Sequence, residues 1–432
     1  MKKYLLKHKS WLIIVGIIIL LSAAFVPSNF KGKAPLQDDM VQYKGASSEF
    51  KKYLEENNTH ILWTNSIFGG MPTYAISTVT SPLLMNFRWP REPYIWSQLF
   101  LYLLCPFIML IAFKVRPWIA LVGAVGIGFA TENFTILDVG HHTKSAAIGY
   151  LPLILAGCQY LFRKKYILGL AILATGMGLQ VLVNHVQIVY YGGFMVALFF
   201  IFQLIYHIKT GKIKDYAIAG ILALLGAGIG IGANSTNLLL LQEYAEVTIR
   251  GESELTMAKT QGDDSKNVKS GLTKDYAFSY SNGWTDIGAT VIPNYSGGDS
   301  DKLGLYYGQI GSTSGPKYIG ATLFILLIIG FVVIKGPIKW WLISVIVLTI
   351  ILSMGGNHFV GFNTLMYEYF PLYNKFRAPS MMMVLVQISA GIMAALALEK
   401  IFSGVENPKE EIKKAGIAGG VGLLVILGLA YT

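Results

Sequence analysis

Long apolar runs separated by polar segments dominate this chain. The first run, Trp11 to Val26, follows the basic N-terminus MKKYLLKHKS. No convincing cleavage site of A-x-A form comes after it, so we interpret it as an uncleaved first helix rather than a signal peptide. Further runs are each about long enough to cross a hydrocarbon core, and the pattern predicts about eleven transmembrane helices. These runs lie near 96–113, 117–131, 146–162, 166–183, 187–207, 216–234, 318–334, 340–354, 381–402 and 415–431.

Basic residues fall in alternate connecting segments. Because cytoplasmic loops are enriched in Lys and Arg, these segments and the N-terminus are predicted to lie inside. The predicted inside segments carry Lys114 and Arg116; Arg163, Lys164 and Lys165; Lys209, Lys212 and Lys214; Lys335 and Lys339; and Lys400, Lys409, Lys413 and Lys414.

The segments predicted outside are of another kind. They cover 28–95, 132–145, 235–317 and 355–380 within one transmembrane domain, 1–432. Most are longer than ordinary connectors, and their Tyr, Trp, Asn and Gly content favours ordered structure. Ser47 to Glu55 is predicted to form a short amphipathic helix at the interface. We therefore expect the polar part of the protein, and its chemistry, on the extracytoplasmic side.

Composition supports this class. Of 432 residues, 53% are hydrophobic and 14% charged, and the mean hydropathy is +0.52. Soluble domains carry about 25% charged residues. The net charge of +11 would suggest nucleic acid in a soluble chain, but here it lies in short loops between spans, which argues against a nucleic-acid partner. Cys105 and Cys158 lie in apolar runs and are predicted to be buried apolar residues. The glycine run 226–234 predicts close helix packing.

Two acidic residues follow the first span. Asp38 and Asp39 stand in the string QDDMVQY. Adjacent carboxylates point in different directions in most backbones, so at most one is expected to face a given site. The alternative is that both are solvated loop residues or helix caps.

The second outside segment concentrates ionisable residues at the membrane edge. Asp138, His141, His142 and Lys144 fall within seven residues, immediately before a span. Ionisable residues at that depth are costly and are usually functional. One interpretation is a metal site through Asp138 and His141. A second is a phosphate site with Lys144 as the charge and His142 as a donor. A third is interfacial anchoring with a helix cap.

The fourth outside segment ends in an arginine at the mouth of a span. Arg377 lies between Phe376 and Pro379. Its planar, permanently charged guanidinium is suited to bidentate contact with a lipid phosphate, and snorkelling to headgroups is the alternative. The chain has no Walker loop, G-x-S-x-G elbow, H-E-x-x-H helix or C-x-x-C pair.

Six segments, in order and over nearly the whole chain, resemble the YfhO family of bacterial membrane proteins. The resemblance implies an all-α polytopic bundle like that of the GT-C class of glycosyltransferases. Such enzymes move a sugar from a polyprenyl-phosphate carrier to an acceptor outside the membrane. The segments are QDDMVQY with LWTNSIFGGMPTY; GHHTKSAAIGYLPL; EYAEVTIRGESELT; GLTKDYAFSYSNGW with VIPNYSGG; LYYGQIGSTSGPKYIGA; and FRAPSMM.

The family's essential acidic residue in the D-x-x-Q-Y string falls on Asp39, with Gln42 and Tyr43 following. Asp38 stands where relatives often have glycine and is the weaker candidate. The resemblance implies Asp39 as base and Arg377 with Lys144 on the departing phosphate. It further allows Asp138, with His141 or His142, to hold Mg²⁺ or Mn²⁺.

Other expectations follow from the same resemblance. The implied partners are a polyprenyl-phosphate-linked sugar, a cell-envelope glycan or lipid acceptor, and membrane lipids, at a bacterial inner membrane. Family members are commonly longer, with further spans and an extracytoplasmic C-terminal part, which this sequence is expected to lack. Four aromatic residues are candidates for stacking on sugar rings or for interfacial anchoring: Trp63, Tyr74, Trp284 and Tyr306.

Two other functions fit the same pattern. One is a transporter or lipid exporter, and the other is a non-catalytic envelope scaffold. Few charged residues lie deep within the spans, which argues against a transport route. An enzyme predicts an outside cavity where Asp39, Asp138 and Arg377 converge. A transporter predicts a cavity reaching mid-membrane, and a scaffold predicts that these residues are scattered.

Overall fold

The fold was analysed in a computed structural model that describes residues 9–76, 94–251, 270–300, 304–311, 313, 315, 317–403 and 408–431. Parts of the predicted first and third outside segments lie beyond these residues. Each apolar run of the sequence coincides with a helix. These helices are α1 (Lys9–Phe25), α4 (Tyr94–Ala112), α5 (Pro117–Gly128), α7 (His142–Phe162), α8 (Tyr166–Leu182), α9 (Val186–Lys209), α10 (Ile213–Gly232), α14 (Ala321–Val333), α15 (Pro337–Ser353), α17 (Met383–Phe402) and α18 (Pro408–Ala430).

Shorter elements fill the segments between them. The helices are α2 (Asp38–Ala46), α3 (Ser48–Asn57), α6 (Thr131–Val139), α11 (Ser235–Glu246), α12 (Lys274–Ala277), α13 (Trp284–Gly288) and α16 (Val360–Tyr369). Strands β1 (Trp63–Thr64) and β2 (Met71–Pro72) form an antiparallel hairpin with Trp63 opposite Pro72. Helix α3 confirms the short helix predicted near Ser47 to Glu55.

Six helices in the described part of the chain are long and apolar enough to cross a membrane. The count is seven if α5 and α6, which meet at a 49° bend, form one span. Helices α1, α8, α14 and α15 are apolar but shorter. The chain is therefore an all-α protein with the helices of a multi-pass membrane protein, and eleven crossings stay a prediction.

The centre of the bundle is formed by α7 and α17. Within the apolar window of each, 89% and 83% of the residues are buried, compared with 17% for α18 at the periphery. Close packing at the α8–α10 crossing depends on Gly230, where an added Cβ would lie 2.7 Å from the backbone nitrogen of Gly178. This contact confirms that the glycine run 226–234 serves helix packing.

The bundle has two distinct ends. We call one the basic end, because it holds the short basic connections near residues 113–116, 163–165 and 209–214. We call the other the loop end, because it holds α2, α3, the hairpin, α11 to α13 and the segment before α17. Segment 132–145 belongs to the loop end, and it is largely helical since α6 and the first turn of α7 occupy it.

Candidate functional site

The candidate site lies where the first turn of α2 meets the connection between α6 and α7. Helix α2 begins at Asp38, and its two acidic residues lie at the positive end of the helix dipole. Helix α6 ends at Val139, and Gly140 then adopts a left-handed φ of 97°. His141 follows as the residue that precedes α7. We call residues 137–142 the Gly140 turn.

Asp39 and His141 form a close polar contact across this junction. His141 Nε2 lies 2.7 Å from Asp39 Oδ2, and the side chains are 43% and 45% exposed respectively. Partial burial lowers the pKa of His141, the charge of Lys144 lowers it further, and the charge of Asp39 opposes both. Asp38 is exposed, so only one of the two adjacent carboxylates faces the site, as the sequence predicts.

Gln37 holds the same junction from inside. Its side chain is 6% exposed, and its amide nitrogen donates to the backbone oxygen of Leu137. Its amide oxygen lies 3.0 Å from His142 Nε2. Since an amide oxygen only accepts, the proton of the His142 ring lies on Nε2. His142, predicted to donate to a phosphate, therefore uses this nitrogen within the protein.

A second pair of charges lies behind the first. Lys144 Nζ is 3.6 Å from Glu132 Oε1, and these side chains are only 11% and 14% exposed. Ser145, the next residue of α7, donates to Gln98 and accepts from Tyr102. Polar groups in this first turn of α7 thus have partners from α4 and α6, which offset the free-energy cost of burying them.

Lys317 comes from the third outside segment to the same region. Its amine donates to the backbone oxygen of Ser380 at 3.1 Å, and Lys317 lines a small enclosed cavity of about 10 Å³ together with Glu132. Burial lowers the pKa of Lys317 to about 8, with Glu132 acting in the opposite direction. Glu132 is therefore close to the charges of two lysines.

His185 adds a neutral imidazole at the loop end of α9. Its Nδ1 accepts a hydrogen bond from the backbone nitrogen of Ile188 and so caps the helix. Burial, together with the nearby charge of Lys144, lowers the pKa of His185 to about 4. A neutral ring is what an accepting Nδ1 requires.

Arg377 lies beside the first turn of α9. Gln187 donates to its backbone oxygen. The guanidinium donates to the hydroxyl of Tyr276 at 2.6 Å and stacks over the rings of Tyr276 and Tyr280, at 5.1 and 5.9 Å. In the described ranges no carboxylate lies within ion-pair distance of this guanidinium, so its charge is free to meet an anion.

Asp138 faces a separate feature. It is exposed and lines a groove of about 390 Å³ whose other walls are mostly apolar, among them Phe25, Leu99, Phe134 and Leu137. The expected convergence of Asp39, Asp138 and Arg377 in one cavity is therefore not seen, and on this criterion the arrangement is the one expected of a scaffold. Asp39 instead meets His141, and Arg377 meets two tyrosines.

The predicted metal site does not fit the donors present. No group of three or more His, Cys, Asp or Glu side chains suited to a metal ion occurs among the residues that the structure describes. Asp138 lies in the groove, and His141 is hydrogen bonded to Asp39. Asp138 and His141 thus have different surroundings, and we derive no step through a metal ion.

The remaining predicted residues flank the junction or lie apart from it. Gln42 and Tyr43 follow Asp39 by three and four positions in α2 and so share its helical face. Gln42 is exposed, and the Tyr43 ring lies 4.3 Å from the Lys51 amine.

Two of the four aromatic candidates for sugar stacking are engaged elsewhere. Tyr74 packs against Tyr244, and the Tyr306 hydroxyl donates to Asp286. Trp63 and Trp284 are 55% and 56% exposed, so their rings remain open to a ligand.

Sequence reasoning did not assign Gln37, Glu132 or Lys317. One signal was present for Glu132, because it is an ionisable residue at the end of an apolar run, where charge is costly. Gln37 and Lys317 had no such signal, since their roles depend on contacts with Leu137 and Ser380, far away in the sequence.

Comparisons with protein-family models, with curated proteins and with solved structures find no match to this chain. The site is therefore interpreted from its own geometry.

Proposed function

We propose that this protein is a YfhO-like, GT-C-type glycosyltransferase of a bacterial inner membrane. It moves a sugar from a polyprenyl-phosphate carrier to an acceptor of the cell envelope. The observation that carries the proposal is the Asp39–His141 contact beside the charges of Lys144 and Glu132. Ionisable groups gathered at the membrane edge, with perturbed pKa values, are typical of functional sites.

The orientation follows from charge. The short basic connections gather at one end of the bundle, and such segments favour the cytoplasm. The loop end then faces outward, where polymers of the cell envelope are assembled. A carrier lipid reaches this end from the outer leaflet, with its phosphate at the level of Lys144 and Arg377.

The chemistry needs a base and positive charge. The acceptor hydroxyl oxygen forms a bond to the anomeric carbon while the carbon–oxygen bond to the phosphate breaks. The electron pair of that bond stays on the phosphate oxygen, and the hydroxyl proton goes to Asp39. Because His141 occupies Oδ2 of Asp39, Oδ1 is the oxygen that accepts the proton. Attack from the face opposite the phosphate inverts the anomeric carbon.

Arg377 and Lys144 have different parts in this proposal. The guanidinium of Arg377 has donors left after its bond to Tyr276 and binds the phosphate directly. Lys144 is paired with Glu132 and largely buried, so it supports the negative charge of the leaving phosphate from behind. Exposed Trp63 and Trp284 offer surfaces for sugar rings of the donor or acceptor.

The test is transfer by the purified protein in proteoliposomes. Polyprenyl-phosphate carrying a labelled sugar is supplied with envelope lipid and glycan acceptors, and label leaving the carrier is followed. Wild type is expected to transfer the sugar, and Asp39→Asn is expected to lose transfer while it inserts normally. Movement of intact labelled carrier between leaflets without transfer would favour a lipid exporter. If neither sugar transfer nor carrier movement is detected, the non-catalytic scaffold is favoured.

A further inference from the structure

Helix α2 has an unusual form of attachment to the protein. None of its residues, Asp38 to Ala46, is fully buried, and Met40, Tyr43 and Ala46 are half-buried. Amphipathic helices are normally held by burying an apolar stripe. The position of α2 therefore depends largely on the contacts at its first turn.

Two polar side chains make the hydrogen-bond contacts at this first turn. Gln37, immediately before the helix, donates to the Leu137 backbone oxygen and lies 3.0 Å from His142 Nε2. Asp39 receives His141 Nε2 at 2.7 Å. Both side chains project from the start of α2 and reach the Gly140 turn, about a hundred residues further along the chain.

Gly140 allows α2 to approach this closely. An added Cβ at Gly140 would lie 3.0 Å from Gln37 Cβ and 3.1 Å from Met40 Cγ, tighter than ordinary contact. Its φ of 97° is also one that residues with a side chain rarely adopt. Because Gly140 has no side chain, the start of α2 can pack directly against the turn.

We propose that Gln37 and His141 form a latch that docks α2 on the Gly140 turn and thereby positions Asp39. His141 is a positioning residue, which aims the carboxylate through its Nε2–H, and Gln37 fixes the backbone from which Asp39 projects. The positioning of a base rests on the proposed function, whereas the docking itself does not. A helix held by few buried contacts opens more often when one of its polar contacts is removed.

Docking can be measured directly at Met40. Cys105 and Cys158 are both buried, so a cysteine introduced by Met40→Cys is the one expected to react with a membrane-impermeant maleimide. In this background we expect His141→Ala and Gln37→Leu to raise the labelling rate. The expected increase is about ten-fold, the change that corresponds to ~1.4 kcal/mol. His141→Gln, which keeps an N–H donor, should restore slow labelling, and Lys52→Ala in the exposed Lys52–Glu56 pair of α3 is the matched control.

Transfer assays on the same variants test the positioning. His141→Ala should lower kcat while leaving KM for the lipid donor nearly unchanged, and His141→Gln should recover most of kcat. A merely structural role would lower the amount of folded protein without this rescue. Unchanged labelling in both His141→Ala and Gln37→Leu would overturn the latch. Full transfer by His141→Ala, with none by Asp39→Asn, would overturn the positioning role. Faster labelling in a protein without transfer would uphold the latch and refute the proposed function instead.

Discussion

At the basic end of the bundle, Lys164 and Asp215 form an ion pair at 2.8 Å with side chains 60% and 30% exposed. At the loop end, Lys144 and Glu132 form a looser pair at 3.6 Å, yet both side chains are nearly buried. The shorter ion pair thus lies where water screens the charges, and the longer one lies where screening is weak. Selection for stability alone would favour the reverse.

Other charged groups follow the same division. Arg163 at the basic end donates to the backbone oxygens of Ile111 and Ala112 in the last turn of α4, where carbonyls lack partners within the helix. Arg116 pairs with Glu399. These contacts satisfy backbone groups at helix ends and connect neighbouring helices. At the loop end the Asp39–His141 contact joins α2 to the Gly140 turn, and Arg377 has no carboxylate partner among the described residues, which leaves its charge for an anion.

The largest effect on stability is expected when Glu132 is replaced. Glu132→Gln leaves the nearly buried Lys144 without its counter-charge and should lower the free energy of unfolding by about 3 kcal/mol. Glu399→Gln at the basic end is the matched control and should cost less than about 1 kcal/mol, because Arg116 is half exposed. Both are measured by denaturation in detergent. Equal losses would remove the distinction between the two ends.

A smaller effect is expected at Arg377. Arg377→Lys keeps the charge but loses the planar fork and the stacking over Tyr276 and Tyr280, so KM for the lipid donor should rise roughly ten-fold (~1.4 kcal/mol). Tyr276→Phe keeps the ring beneath the guanidinium and should change KM much less. The measurement is transfer at varied donor concentration. Identical kinetics of Arg377→Lys and wild type would place the phosphate elsewhere.

The smallest effect is a pH dependence carried by His185. Its pKa in the folded protein is about 4, below the ordinary 6.5, so the folded state binds fewer protons than the unfolded chain between these values. The stability contributed by this group is therefore full above pH 6.5 and falls as the pH falls toward 4.

The matched variant is His185→Asn, which keeps an oxygen to accept from Ile188 but does not titrate. Between pH 7 and pH 5 the thermal midpoint of wild type should fall further than that of His185→Asn. A parallel fall in the two proteins would show that His185 does not carry the effect.

Helices could be predicted well from this sequence because each apolar run is long and contrasts with its polar neighbours. All the predicted runs, from Trp11–Val26 to 415–431, coincide with helices. Their ends were less predictable: beyond the 49° bend, α6 continues as a helix through residues that the sequence assigns to an outside segment. Hydropathy reports the total length of apolar chain and carries little information on where it turns.

The site could be predicted only in part. Asp39 and His141 were each found in the sequence, but their pairing depends on how α2 sits on the Gly140 turn. Gln37 carries no charge and stands in an ordinary polar stretch, so its buried position could not be foreseen. Asp138 lies only three residues from His141, yet a helix end and a left-handed glycine separate them, and Asp138 faces the groove instead.

The central claim is that the carboxylate at the loop end takes part in sugar transfer and that carboxylates at the basic end do not. The most direct test compares Asp39→Asn with Asp215→Asn, since each carboxylate lies close to a basic side chain, at 2.7 and 2.8 Å. Each purified variant is assayed for transfer from a labelled polyprenyl-phosphate sugar in proteoliposomes. We predict that Asp39→Asn loses transfer by about a hundred-fold or more, the scale of lost general-base catalysis, while Asp215→Asn retains it. Equal transfer by the two variants would contradict the account.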